Sequence, residues 1–194
     1  MFLLSFENMN VFHKAFHTPR TAAWMSKVMP YLKRGERILD VGSGGGNIAK
    51  ALIDRGFQVT TMDIVDKSYF KETKPVLYDG TTFPFSDDSF DVAMCVTMLH
   101  HTPDPIHILR EAMRVAPRLV VVEDLHANTP QKWLTYAMDS VLNREFIAHP
   151  HSNRDRAGWE KAFSELGLRI LDFKQENFWF FFTSGTWYLE LLTG

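Results

Sequence analysis

The stretch Arg37-Ile38-Leu39-Asp40-Val41-Gly42-Ser43-Gly44-Gly45-Gly46-Asn47 decides the fold. Its first five residues are a short apolar run ended by glycines, which predicts a buried strand. Behind the glycines, Ile48, Ala49, Leu52 and Ile53 share one helical face, and Gly56 suits the left-handed residue that closes a helix. A glycine-rich turn between strand and helix lets a ligand approach the backbone, and the helix start offers it unpaired N–H groups. Such a loop alone suits several nucleotide-binding families. The dinucleotide pattern G-x-G-x-x-G needs glycine at position 47, which is Asn47, and a phosphate loop needs a Gly-Lys-Ser/Thr ending that is absent. What remains is Asp-x-Gly-x-Gly-x-Gly.

Outward from the loop, strands and helices alternate. Phe57 to Met62 reads as a second strand ending at Asp63, Val76 to Tyr78 as a third and Phe90 to Val96 as a fourth. Asp104 caps a helix that begins at Pro105, with Ile106, Leu109 and Met113 on its buried face. Leu119 to Val122 is continuous aliphatic, as in a central parallel strand covered on both sides. This alternation predicts an α/β fold with a parallel, doubly wound sheet. Upstream, Phe12, Ala15, Phe16, Trp24, Val28 and Leu32 have amphipathic helical spacing. Downstream, Trp133, Leu134, Ala137, Met138, Val141 and Leu142 predict an extra helix over the substrate side. Ser152-Asn153-Arg154-Asp155 resembles a capping box before a helix holding Trp159, Phe163 and Leu166, ended by Gly167. Beyond it lie two extended segments, at about Leu168 to Phe182 and Trp187 to Leu192, with Ser184-Gly185 as the expected hairpin turn.

The 194 residues suit one domain, and 45% hydrophobic with 23% charged residues is ordinary for a globular protein. A net charge of −2 gives no electrostatic footprint for nucleic acid or an anionic membrane. The single cysteine, Cys95, excludes an internal disulfide and points to a reducing compartment. Met1 to Phe6 lacks a basic n-region, and no segment approaches the roughly 20 apolar residues of a membrane span. A cytoplasmic protein is the expectation.

Asp63 ends the second strand about 20 residues after the loop, where an acid can accept both hydroxyls of a ribose. Asp79-Gly80 comes after the third strand at a comparable edge, where the acid can meet an adenine amino group and Gly80 N–H the ring. A capping aspartate at 63 and a plain Asp-Gly turn at 79 are the alternatives.

These segments, with Phe83-Pro84-Phe85, Ser89-Phe90-Asp91-Val92, Leu99-His100-His101 and Leu109-Arg110-Glu111-Ala112-Met113-Arg114-Val115, stand in the order seen in class I methyltransferases. Across about residues 35 to 124 the chain resembles the small-molecule "methyltransferase type 11" group. The resemblance implies a Rossmann-like sheet of seven strands, mostly parallel with one antiparallel strand, and S-adenosyl-L-methionine as cofactor. It places Asp40 and the glycines near the cofactor's methionine, Asp63 at its ribose and Asp79 at its adenine. The implied cofactor set is Asp40, Gly42, Ser43, Gly44, Gly46, Asp63, Ile64, Asp79, Gly80 and Cys95. The implied layout is a helical cap (1–34), a cofactor-binding half (35–124) and a substrate-side insertion with a C-terminal hairpin (125–194). Family members often carry a Pro-Gly-Gly turn before the fifth strand, where this chain has Ala116-Pro117-Arg118.

Methyl transfer from a sulfonium draws on proximity and desolvation, and a hydroxyl or protonated amine acceptor also needs a base. His100 and His101, after the fourth strand, are the catalytic candidates, although one of them can instead secure the turn. Glu123, Asp124 and His126 close the fifth strand at the same edge and either orient an acceptor or cap the next segment. His149 and His151 with Asp155 give no clear metal set, and no metal is expected. His13 and His17, and the series Arg110, Arg114 and Arg118, read as solvated faces. Cys95 reads as a small buried hydrophobe rather than a nucleophile. No Asn-Pro-Pro-aromatic tetrapeptide stands after the fourth strand, which weakens methylation of base or glutamine amino groups. The run Phe178 to Phe182 suits burial on both faces, an apolar or aromatic acceptor pocket, or self-association. Two rival functions stand beside methyl transfer to a small molecule: a non-catalytic S-adenosylmethionine-binding partner or regulator, and a nucleotide-dependent oxidoreductase.

Overall fold

The computed structural model describes residues 18–125, 154–178 and 182–192. The proposed helix at 133–142, the histidines at 13, 17, 126, 149 and 151, and most of the aromatic run lie outside the described residues. Strands β1 (Arg37–Val41), β2 (Gln58–Asp63), β3 (Val76–Leu77), β4 (Val92–Val96), β5 (Arg118–Leu125), β6 (Leu168–Phe178) and β7 (Phe182–Leu191) form one sheet in the order β3-β2-β1-β4-β5-β7-β6. The pairs from β3 to β5 are parallel, and β7 runs antiparallel to both its neighbours. The expected sheet of seven strands with one antiparallel member is therefore present.

Alternation along the strands sends side chains to two cores. On one face Leu39, Val41, Ala93, Cys95, Leu119, Val121 and Trp187 pack against α3 (Pro105–Val115) and α4 (Arg156–Glu165). On the other, Ile38, Val92, Met94, Val120 and Val122 meet Met25 and Val28 of α1 (Thr18–Val28) and Leu52 of α2 (Asn47–Ile53). Complete burial of Trp159, Phe163 and Trp187 is worth roughly 1.5–3 kcal/mol for each such side chain. Helix α1 is tied to the far edge of the sheet by buried Lys27, which bonds Glu176 and Ser184 Oγ (2.9 Å), and by Tyr31, which donates to Asp172 (2.8 Å). Among the described residues no helix is long and apolar enough to cross a membrane.

Several expectations hold at the residue level. Asp104 Oδ1 accepts from His107 N at the start of α3; at α4 the N-cap is Asp155, whose Oδ1 accepts from Gly158 N, in place of the expected box opening at Ser152, which lies outside the described residues. Others change. The buried face of α3 is Ile108, Leu109, Ala112 and Val115, with Ile106 and Met113 only partly packed. Ser184-Gly185 is no turn: it lies within β7, where Ser184 pairs with Asp124 and Gly185 with Glu123. Glycine is needed at 185 because a Cβ there would come within 2.5 Å of the Trp187 ring. Ahead of β5 the chain enters from α3 through Ala116, and Pro117 O accepts from Leu191 N at 3.0 Å.

Arg114 and Arg118 are pinned rather than solvated. Arg118 reaches Tyr188 (3.0 Å) and Glu36 (2.9 Å). Arg114 forks onto both oxygens of Glu111 (2.9 and 2.8 Å), the carbonyls of Phe83 (3.0 Å) and Phe85 (2.8 Å), and Asp87 (2.9 Å). Glu111 in turn accepts from Phe83 N at 2.8 Å. This fork fixes the Phe83-Pro84-Phe85 loop over the core, and lysine has neither its planarity nor its five donors. Arg114→Lys should cost about 2 kcal/mol, seen as a drop of several degrees in Tm or a lower urea midpoint. An unchanged melt would show that the fork does not hold the loop.

Candidate functional site

The site forms where β1 and β4 part company, at the carboxyl edge of the sheet. Ligands collect at this switch point because connections on either side leave in opposite directions and open a crevice. The parallel register sets Val41 opposite both Met62 and Cys95, so the loop after β1 lies beside the ends of β2 and β4. Gly42 N (2.8 Å) and Ser43 N (3.1 Å) both donate to Met62 O, and Gly46 N donates back to Ser43 O (2.9 Å).

The glycines divide by purpose. Gly42 and Gly44 both have positive φ, 67° and 52°. A Cβ on Gly42 would sit 2.9 Å from Met98, whereas a Cβ on Gly44 would meet nothing within 4 Å among the described residues. Gly44 therefore faces open space, as a ligand cradle does. Gly45 and Gly46 are backed by Tyr69 and Thr73, which leave no room for a side chain. Gly46 was expected among the cofactor contacts. It is the left-handed residue that opens α2 beneath the segment after β2. That segment was not foreseen, and the paired glycines 45 and 46 were its only signal.

Asp63 joins the two walls. Its Oδ2 accepts from Gly44 N and its Oδ1 from Ile64 N, at 2.8 and 2.7 Å. Val65 N also donates to Oδ1, at 3.4 Å, so of the roughly four lone-pair sites of a carboxylate the spare capacity lies on Oδ2. Next to it Ile64 is 63% exposed, an unusual state for a large aliphatic residue beside a polar loop. Gly80 closes on Ile64, whose Cγ2 lies 3.5 Å from the place of a Gly80 Cβ. Asp79 makes a true Asp-Gly turn: its Oδ1 accepts from Thr81 N (2.8 Å), Thr81 Oγ1 (2.7 Å) and Thr82 N (3.0 Å). These bonds, led by the Thr81 hydroxyl, hold its carboxyl below the ordinary range. Its Oδ2 takes part in none of them, so the turn and an outward-facing acceptor coexist.

Asp40 is 3% exposed and lies on the α1 and α2 face of β1. Burial, followed by the charge of Asp63, pushes its carboxyl up to about 7. Ser43 Oγ and Asn47 Oδ1 are buried without a hydrogen-bond partner among the described residues. A buried polar atom left unpaired costs free energy unless a ligand or water satisfies it. The loop thus carries orphaned acceptors, an open Gly44 and an acid seeking a cation, a set that fits an amino-acid-bearing nucleoside.

Cys95, the last of the expected set, has its side chain in the core. It is completely buried in the core against Val41, and burial, with a smaller push from Glu123, holds its thiol well above the usual range. The two histidines also part. His100 is 4% exposed, with Nδ1 2.5 Å from Glu123 Oε2, whereas His101 is half-buried with its ring centroid 4.0 Å from that of His100. Among the described residues, no group of three His, Cys, Asp or Glu is placed to hold a metal ion.

Comparison with known proteins agrees with this geometry. Residues 39–118 match the type 11 family model described as "Methyltransferase domain". A ubiquinone biosynthesis O-methyltransferase of Nitrosospira multiformis is 29% identical over 147 residues, covering 69% of this chain and 59% of that protein. The protein of the same name in Idiomarina loihiensis is 34% identical over 87 residues, 39% of this chain and 36% of its own length. The chain thus spans between about a third and three fifths of these two relatives. In fold, a SAM-dependent methyltransferase from Methanosarcina mazei superposes with a TM-score of 0.67 at 21% identity, covering 86% of this chain and 97% of that one. Over residues 39–118 the chain is thus similar to the type 11 methyltransferase domain, and it shares its fold with a SAM-dependent methyltransferase.

Proposed function

We propose that this protein transfers a methyl group from S-adenosylmethionine to a small-molecule acceptor in the cytoplasm. The observation that carries the reading is the Asp63 bridge, which aims an acid with spare lone pairs into the crevice beside open Gly44 and exposed Ile64. S-adenosylmethionine, when bound, supplies a methyl group on a sulfonium centre. Asp63 accepts the ribose hydroxyls, Ile64 packs the adenine, Asp79 Oδ2 and Gly80 N meet its edge, and Asp40 with Ser43 faces the methionine end. Residues 125–194 shape the acceptor side, and His100 and His101 stand at its floor. The relatives named for ubiquinone biosynthesis favour a hydroxylated, partly apolar acceptor. The modest negative charge gives nucleic acid no purchase.

Transfer of labelled methyl from S-adenosylmethionine to a panel of hydroxylated aryl compounds tests the activity. Cofactor binding without transfer to any of them would favour a regulatory partner. Asp63→Asn keeps an oxygen for Gly44 N but removes the charge that receives the ribose. It should weaken S-adenosylmethionine binding by about 10-fold or more, with little change in Tm. Unchanged affinity would remove Asp63 from the site.

Asp40 gives a pH signature. Its folded-state value lies above its unfolded one, so the folded chain binds the extra proton between about 4 and about 7. The contribution of Asp40 to stability is present at low pH and is lost as pH rises through that window. Asp40→Asn should therefore flatten the fall in Tm of the cofactor-free protein from about pH 4 to about pH 7. It should also weaken S-adenosylmethionine, whose ammonium loses a countercharge. Parallel Tm curves for the two proteins would contradict this placement.

A further inference from the structure

A tyrosine on the wall of the crevice carries a hydroxyl that the protein leaves unpaired. Tyr78 follows the two-residue edge strand β3, and its N donates to Asp63 O at 3.2 Å, so it stands beside the acid that ends β2. Val76 and Leu77 before it are exposed, but Tyr78 turns inward and packs against the core on the α3 and α4 side of the sheet. We infer that Tyr78 is a further cofactor-binding residue: its hydroxyl donates to N3 or N7 of the adenine ring. The inference rests on the methyl-transfer reading above and gives the base a contact that the reading does not assign.

Three observations carry it. First, the ring is held by groups that are themselves fixed. The Phe83 ring meets it edge-on, with centroids 5.4 Å apart and planes at 88°, a favourable arrangement for two aromatic rings. Phe83 is buried and its backbone is gripped at both ends, its N by Glu111 (2.8 Å) and its O by Arg114 (3.0 Å). The fork on Arg114 therefore reaches the crevice through Phe83 and Tyr78.

Second, the hydroxyl is free. Tyr31 donates to Asp172 and the Tyr188 oxygen accepts from Arg118, so these two tyrosines have protein partners. The Tyr78 hydroxyl has no hydrogen-bond partner among the described residues. A half-buried phenol ordinarily finds one, and a ligand at the crevice supplies it.

Third, its surroundings place it at the base. Burial, followed by Cys95, Asp63 and Asp79, pushes the phenol up to about 12, so it stays a neutral donor at neutral pH. Those residues belong to β4, to the end of β2 and to the turn after β3, which bracket the crevice. With Asp63 turned to the ribose, and Asp79 and Gly80 to one edge of the adenine, a donor between them meets the purine. N3 and N7 of a purine only accept, and a phenol O–H can donate to either.

Titration calorimetry of the full chain with S-adenosylhomocysteine, for the parent and Tyr78→Phe, tests this without an acceptor. The variant keeps the ring and its contact with Phe83 and loses only the hydroxyl. Affinity should fall about 5-fold, the worth of one neutral hydrogen bond. The Tm of the cofactor-free protein should stay within about one degree, because no protein bond is lost. The 3-deaza and 7-deaza analogues of S-adenosylhomocysteine each replace one of the two ring nitrogens with carbon. With one of them the parent should bind no better than Tyr78→Phe. Unchanged affinity for S-adenosylhomocysteine in Tyr78→Phe, or a loss that persists in full with both analogues, would overturn the inference. A parent that does not bind S-adenosylhomocysteine at all would instead defeat the methyl-transfer reading.

Discussion

The parallel pairing of β1 between β2 and β4 is the constraint on which the site depends. Because Val41 stands opposite Met62 on one side and Cys95 on the other, the three strands end together. The chain must then leave β1 upward through glycines, beside the acid that closes β2 and the turn that closes β4. Met62 O receives two loop N–H groups, Asp63 a third, and Met98 packs against Gly42. A slip of one residue would turn each of these side chains to the opposite face and dissolve the crevice.

Environment rather than identity separates the acids Asp40, Asp63, Asp79 and Glu123 near this edge. Asp40 is buried with the Asp63 charge nearby and is pushed towards neutrality. Asp63 is half-buried and accepts from Gly44 N on one wall of the crevice and from Ile64 N and Val65 N on the other. Asp79 is exposed, locked by Thr81 and Thr82, and held as a carboxylate below the ordinary range. Glu123 is sealed in the core, with Met98 N and Leu99 N donating to one oxygen and the His100 ring against the other. The gradient from Asp79 to Asp40 matches the polarity of a nucleoside carrying an amino acid, with hydroxyls at its middle and a cation at one end.

Much of this was legible in the chain. The strand at Arg37 to Val41 is clear because its apolar run ends abruptly at glycines, and the loop separates from a dinucleotide fingerprint at Asn47 alone. Asp63 and Asp79 were readable because each closes a strand at a shared edge. Less legible were features set by distant pairing. The antiparallel partner of β5 passes straight through Ser184-Gly185, a dipeptide whose local chemistry signals a turn. Tertiary context overrides it, because Trp187 needs the space that Gly185 vacates. Arg114 looked solvated on its own helix, since nothing nearby in sequence shows that the Phe83 loop comes to lie above it. The burial of the Cys95 side chain in the core and the closeness of Thr73 to Gly46 are set by tertiary packing that spacing does not encode.

The crevice between β1 and β4 is built for a nucleoside with an amino-acid arm rather than for a dinucleotide. Titration calorimetry of the full chain with S-adenosylhomocysteine and, separately, with NAD distinguishes the two. Saturable one-to-one heat with S-adenosylhomocysteine and none with NAD is the expected result. Saturable NAD binding, with no heat from S-adenosylhomocysteine, would contradict that assignment.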